Sequence, residues 1–258
     1  MTSRSGRGKT DAMRHACCCV GGMRIAATAD LHFGKSSAGT LQMLLSQITT
    51  AADVLVVAGD ITDYGTAEEA RSFAKELAAS VRIPVVAVLG NHDFESGAER
   101  EIHQILVDQG VCVLDGDTCE VQGVGFAGVK GFAGGFGRRA LGPWGEPIIK
   151  QFVHEAVNEA LKLESALARL RTDKKIVVLH YAPIEATVEG EPREIYPYLG
   201  CSRLEEPLGR YSVTAVLHGH AHNGALEGRT STDVPVYNVA LPLMRKLTPQ
   251  NPFLILDV

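Results

Sequence analysis

The sequence of 258 residues predicts an α/β protein, and three observations carry that reading. Short Val-rich runs alternate with amphipathic helical segments through the first half, the rhythm of a parallel sheet with right-handed crossovers. The run Val-Leu-Val-Val-Ala at 54–58 is apolar on both alternating faces, so it reads as a strand covered on both sides. Several such runs stop abruptly at Asp, Asn or His, at the carboxyl ends of strands where open α/β sheets place their ligands.

Taken in order, residues 1–22 carry Arg4, Arg7, Lys9 and Arg14 among small polar residues without periodicity, and are expected to be a disordered tail. Met1, Met13 and Met23 all stand open as the start, because the first strand begins at Met23. That strand, 23–29, ends at Asp30-Leu31-His32. Residues 39–50 form a helix with Leu41, Leu44, Leu45 and Ile48 on one face. The strand at 54–58 ends in Gly59-Asp60, and Thr66-Ala67-Glu68-Glu69 then opens a helix to residue 80 with a capping-box pattern. A third strand, 85–89, leads into Gly90-Asn91-His92-Asp93, and a helix over 97–109 is stopped by Gly110.

Past residue 111 the rhythm changes. Runs at 111–114, 118–122 and 124–129, joined by Asp-Gly and Gly turn signals, are expected as an antiparallel meander. A glycine-rich loop occupies 130–145, and 148–171 is one long helix with Phe152, Ala156, Leu163, Leu167 and Leu170 on its buried stripe. A strand at 176–179 ends at His180, a Pro- and Glu-rich loop reaches residue 200, and a short helix starts at Ser202. A strand at 213–217 runs into His218-Gly219-His220-Ala221-His222, and strands near 225–228, 234–239 and 253–258 close the chain. No repeat or linker divides it, so 23–258 are expected to form one domain.

A hydrophobic content of 45% and a charged content of 21% are those of a globular protein, and a net charge of −5 argues against a broad nucleic-acid or anionic-membrane surface. No apolar stretch is long enough to span a bilayer and the first residues lack a signal core, so the expected location is cytoplasmic, with no membrane partner. Cys17, Cys18 and Cys19 are adjacent, a spacing that does not suit one tetrahedral metal, while Cys112 and Cys201 read as small core residues.

The chemistry lies at the strand ends. Asp, Asn and His without Cys are ligands for Mn, Fe, Zn or Co. Two such ions about 3.5–4 Å apart clamp the attacking and departing oxygens of an in-line phosphoryl displacement. Asp60, at the end of the central strand, suits the shared position; Gly59 before it lets the backbone turn sharply. His220 and His222, two apart, share one side of an extended segment.

Asp30-x-His32, Gly59-Asp60, Gly90-Asn91-His92-Asp93, His180 and Gly219-His220-Ala221-His222, in this order, resemble the calcineurin-like metallophosphoesterase superfamily over 23–240. The resemblance implies a four-layer α/β/β/α sandwich of two mixed sheets flanked by helices. It implies one metal ion held by Asp30, His32 and His222, a second by Asn91, His180 and His220, and Asp60 bridging them. It gives His92 as general acid or charge stabiliser and Asp63 as the side chain that hydrogen-bonds it, with a water between the ions as nucleophile. Protein Ser/Thr phosphatases of the superfamily carry Arg after that second Asp and Glu after Asn-His; Tyr64 and Asp93 stand here. Gly-Asp-Ile-Thr-Asp with Gly-Asn-His-Asp is more similar to the bacterial phosphodiesterase branch, which includes cyclic-nucleotide phosphodiesterases. The expected substrate is therefore a small phosphate ester, a diester before a monoester.

Bland roles compete at each position. Asp30, Asp60 and Asn91 singly suit turns or caps, the commonest work of Asp and Asn after a strand. His180 after Val-Val-Leu resembles a satisfied core histidine, and only motif order favours it as a ligand. His218 is expected to be structural, and His103 and His154 to be solvated on helices. Arg138 and Arg139 are candidates to grip the substrate phosphate in place of the Arg absent after Asp63, against the plainer reading of solvated loop charges. A nuclease with the same site and a non-catalytic scaffold are the competing functions; the first lacks an evident basic track, and the second sits badly with a full ligand set.

Overall fold

In the computed structural model, which describes residues 22–258 apart from 35, 36 and 38, the first half alternates as the sequence predicts. It runs β1 (Arg24–Thr28), α1 (Gln42–Ala51), β2 (Val54–Ala58), α2 (Ala67–Ser80), β3 (Val85–Val88), α3 (Glu99–Asp108) and β4 (Cys112–Val113). The second half continues with β5 (Asp117–Val121), β6 (Val124–Val129), α4 (Pro147–Arg169), β7 (Lys174–Leu179), α5 (Tyr196–Leu199) and α6 (Glu205–Leu208). β8 (Ala215–His218), β9 (Glu227–Arg229), β10 (Pro235–Asn238), α7 (Leu241–Leu247) and β11 (Leu254–Asp257) complete it. The tail expected at 1–22 falls, except for Gly22, outside the described residues, as does the Cys17–Cys19 triplet.

Two sheets form, ordered β11-β1-β2-β3-β4 and β5-β6-β7-β8-β10-β9. β1 to β4 are parallel with β11 antiparallel at one edge, and β6, β7, β8 and β10 are parallel with β5 and β9 antiparallel at the edges. The strand period explains the layers. On β2, Leu55 and Val57 face α1 to α3, packing with Leu45, Ile48, Phe73, Ile102 and Leu106. Val54 and Val56 face the other way, into a second core with Phe126, Ile176, Val178 and Leu217 of the opposite sheet. α4 covers the far side through Leu163, Ala166 and Leu167, with Val177, Leu179 and Val216 beneath. The result is the expected four-layer α/β/β/α sandwich. Each large apolar side chain so buried contributes about 1.5–3 kcal/mol.

The capping box of α2 is present, with Thr66 Oγ1 accepting from the Glu69 amide and Glu69 accepting from the Thr66 amide. The meander is not. β4 stays in the first sheet, parallel to β3, and only β5 and β6 form a hairpin, in the second sheet. Asp115-Gly116, which looked like a hairpin turn, is the crossing between sheets: Leu114 donates to Ala87 on one side and Gly116 to Gly128 on the other. Among the described residues, no helix is long and apolar enough to cross a membrane.

Candidate metal centre

Left-handed backbone is concentrated where the strands end. Asp30, His32, Asp60 and His220 have φ of 57°, 43°, 49° and 70°, four of the six non-glycine residues with positive φ among those described. Asp and His tolerate this region better than most residues, and such strain gathers at functional sites. Gly59, at φ 90°, completes the turn before Asp60, and a Cβ there would lie 2.4 Å from His180 Nδ1. Cross-links fix the turns together: Asp30 N donates to Gly59 O, His32 N to Asp60 O, and Gly219 N to His180 O.

Three overlapping groups of donors result: Asp30, His32 and His222; His32, Asp60 and His92; Asp60, His180 and His220. Within each group the ligand atoms lie within 4.8 Å of one another, and Asp60 is shared by two of them. The first group is the trio expected on one ion. The third, with Asn91 Oδ1 at 2.8 Å from His180 Nε2, gathers the set expected on the other. Asp30 Oδ1 lies 3.1 Å from His222 Nε2, and Asp60 Oδ1 lies 3.3 Å from His180 Nε2.

The ring nitrogens show what the site needs. His180 Nδ1 donates to the Ala58 carbonyl at 3.0 Å, so in the neutral ring Nε2 carries a lone pair. That lone pair faces the Asn91 oxygen, an acceptor too, and lies 3.3 Å from Asp60 Oδ1. Protonating the ring does not resolve the conflict readily, because burial lowers the pKa of His180. His220 Nε2 donates to the Tyr198 carbonyl at 3.1 Å, leaving Nδ1 with its lone pair, and burial pulls its pKa down to about 3. His32 Nε2 is buried with no hydrogen-bond partner among the described residues, 3.8 Å from Asp60 Oδ2. Burial, then the charges of Asp30 and Asp93, push the carboxyl of Asp60 up to about 7. An orphaned nitrogen, opposed lone pairs and a carboxylate short of positive charge fit a cation, and the donor types suit Mn, Fe or Zn.

Asp63 departs from the expectation. Its carboxylate does not meet His92; it lies 3.5 Å from Nδ1 of His32, and the backbone carbonyl of Asp63 accepts from His92 Nδ1 at 2.7 Å. Asp63 therefore orients two imidazoles by different atoms, the carboxylate serving a candidate ligand as outer-shell groups do. His92 is further fixed by its own amide, which donates to Asp60 Oδ1 at 2.9 Å. Its ring meets that of His32 edge-on at 4.5 Å between centroids.

Asp93 supports the site in a way that the sequence motifs did not indicate. Fully buried, its carboxylate accepts from the amides of Gly90, Ile61 and Thr62 and from the Thr62 hydroxyl, tying the loop after β2 to the loop after β3. The signal was available only as the Asp that follows Asn91-His92. Arg138 and Arg139 are exposed on a tight turn over Gly137–Arg139; neither bonds to the cluster, and Arg139 lines a separate cavity of 370 Å³ with Leu141, Phe152 and Tyr198. His218 is structural as expected, its Nδ1 donating to Gly219 O and its Nε2 meeting the Thr187 hydroxyl.

A two-sheet sandwich with Asp, Asn and His gathered at its strand ends defines the metallophosphoesterase class of proteins. The chain belongs to the calcineurin-like phosphoesterase family, which it matches over residues 23–224. Over 183 residues it is 25% identical to "Probable glycerophosphodiester phosphodiesterase GpdQ" of Arcobacter nitrofigilis, a match that takes in 69% of this chain and 59% of that relative's length. In fold it is similar to the phosphopantetheinyl hydrolase PptH of Mycobacterium tuberculosis, with a TM-score of 0.65 at 16% identity over 92% of this chain and 97% of that one. TT1561 of Thermus thermophilus gives a TM-score of 0.51 at 14% identity over 92% and 99%. At these identities the two structures speak to the fold alone.

Proposed function

We propose that the protein is a metal-dependent phosphodiesterase of small phosphate esters. The observation that carries this reading is the meeting of Asp30, His32, Asp60, Asn91, His180, His220 and His222 at the strand ends, with His32 Nε2 left without a hydrogen-bond partner among the described residues. Asp30, His32 and His222 would hold one divalent ion, and Asn91, His180 and His220 would hold a second, with Asp60 lying close to both sets. When bound, the ions supply positive charge for the phosphate oxygens and activate the attacking water. Asp63 and Tyr198 keep His32 and His220 turned toward the cluster by engaging their outer nitrogens. With Nδ1–H given to the Asp63 carbonyl, a His92 ring that also carries the Nε2 proton would deliver that proton to the departing oxygen or steady its charge. A diester is favoured over a monoester by the likeness of Gly-Asp-Ile-Thr-Asp to the phosphodiesterase branch and by the name of the 25%-identical relative.

The test is a protein stripped of metal and then given Mn²⁺, with bis(4-nitrophenyl) phosphate and 4-nitrophenyl phosphate as substrates. Mn²⁺ should restore hydrolysis, faster on the diester, and Asp60→Ala should lower kcat/KM by about 10³-fold, roughly 4 kcal/mol. Turnover that ignores Mn²⁺, or survives in Asp60→Ala, would remove the proposal.

A further inference from the structure

Beside the cluster lies a second cavity, of 320 Å³, whose walls include Leu89, Phe94, Arg100, His103 and Lys130. It is joined to the cluster through the chain itself. Leu89 leads directly into Gly90-Asn91, and Phe94 shares a single helical turn with His92. The carbonyl of Lys130 accepts the amides of His180 and Tyr181. The Tyr181 ring touches both places: it packs on His220 at 4.6 Å and His180 at 5.5 Å between centroids, and Lys130 Nζ sits 5.4 Å from its centre.

The Lys130 side chain is held in a cage of rings, and burial lowers its pKa against the charges of Glu159, Glu155 and Asp115. Phe94 and Phe132 stand 5.2 and 5.0 Å from Nζ, completing three aromatic neighbours with Tyr181. Its one hydrogen bond is to the Gly131 carbonyl at 2.9 Å, and among the described residues it makes no ion pair. Glu159, the nearby carboxylate, is already used: it accepts from the Gly131 amide at 2.7 Å and pairs with Lys162 at 2.5 Å. Asp115, on the cavity wall, is paired with Lys162 as well. That leaves Arg100, which bonds to no carboxylate among the described residues, and Lys130 against Glu99 at the start of α3, with His103 between them on the wall.

We propose that this cavity receives one arm of the phosphate ester, and that the arm is a short carbon chain ending in an anion, carboxylate or phosphate. The apolar floor from Leu89 and the Phe94 ring takes the carbon chain, and Lys130 with Arg100 takes its charged end. The assignment rests on the phosphodiesterase reading for the place of the scissile phosphate. The cavity is matched in size to such an arm, at the lower end of the range for small-ligand sites.

Three 4-nitrophenyl phosphodiesters, alike except that a butyl arm ends in carboxylate, phosphate or carboxamide, test it on the Mn²⁺-loaded protein. An anionic arm should be favoured over the carboxamide by about tenfold in kcat/KM. The ratio should fall toward one in Lys130→Met and in Arg100→Gln and return in Lys130→Arg; the larger of the two anion ratios names the charged end. A ratio of one in the unaltered protein, or a ratio that survives both substitutions, overturns the proposal while leaving the hydrolase standing. A second readout does not need turnover: acetylation of Lys130, followed by peptide mass spectrometry, should slow with the non-hydrolysable carboxylate-armed phosphonate and not with its carboxamide. Should no arm be hydrolysed at all, the phosphodiesterase reading falls, and unequal protection of Lys130 still supports the anion site whereas equal protection rejects it.

Discussion

His180 and His218 close neighbouring strands of one sheet, both fully buried, yet their ring nitrogens meet different company. His218 is satisfied at both, by the Gly219 carbonyl and the Thr187 hydroxyl. His180 is satisfied at Nδ1 by Ala58, while Nε2 confronts the Asn91 oxygen, which has no proton to offer it, and lies 3.3 Å from Asp60 Oδ1. Burial and residue type are the same; the lone pair set against the Asn91 oxygen is what separates a candidate ligand from a core histidine.

The sharpest way to break this comparison is to remove each ring in turn. His180→Ala should weaken Mn²⁺ binding by 100-fold or so, at least the upper end of what an outer-shell partner costs. His218→Ala should keep Mn²⁺ binding within a few-fold but lower the unfolding free energy by about 1–3 kcal/mol, because the Thr187 hydroxyl and a void remain. Equal losses of metal in the two variants, read by calorimetry, would erase the distinction.

Acidity offers a gentler probe. Burial lowers the pKa of His180 and brings that of His218 down to about 4. Both are neutral in the fold at pH values where the unfolded chain, with a His pKa of about 6.5, is charged. The stabilising contribution of His218 is therefore whole above pH 6.5 and is lost as pH falls from there through 4, and that of His180 has the same sign. Asp60 has the opposite sign, since a carboxyl raised to about 7 favours the metal-free fold only while it keeps its proton. The metal-free protein should show a urea midpoint that declines between pH 6.5 and 5, and Mn²⁺ affinity should climb as pH rises through about 7, where Asp60 gives up its proton. Flat profiles in both would contradict the assigned shifts.

The smallest effect expected is at Arg138 and Arg139, which are exposed and bonded to nothing in the cluster. Alanine at both should raise KM for a diester by no more than about fivefold, in keeping with solvated charge contacts. An unchanged KM would leave them as loop residues.

Much of the architecture was legible in the sequence because the signals were local. The Val-rich runs, the Thr66–Glu69 cap and the stripe of α4 each lie within one segment, and the strand ends carry their own Asp, Asn and His. What escaped depends on partners far along the chain. Asp115-Gly116 has the composition of a hairpin turn, and only the packing of two sheets makes it a crossing. α7 was missed because Pro242, a breaker in the string, sits in the first turn where a missing amide does no harm. The Asp63 motif showed which residue engages His92 but not that the backbone oxygen would do it while the carboxylate turned to His32. The cage around Lys130 draws rings from positions 94, 132 and 181, which no window of sequence brings together.

Asp30 and His222, in contact at 3.1 Å, stand 192 positions apart in the chain. Everything from residue 30 to residue 222 must therefore be folded, with the two sheets closed on each other, before the full donor set exists. Uptake of a divalent ion would then report that the two sheets have closed, and by mass action a bound ion would favour that closed state.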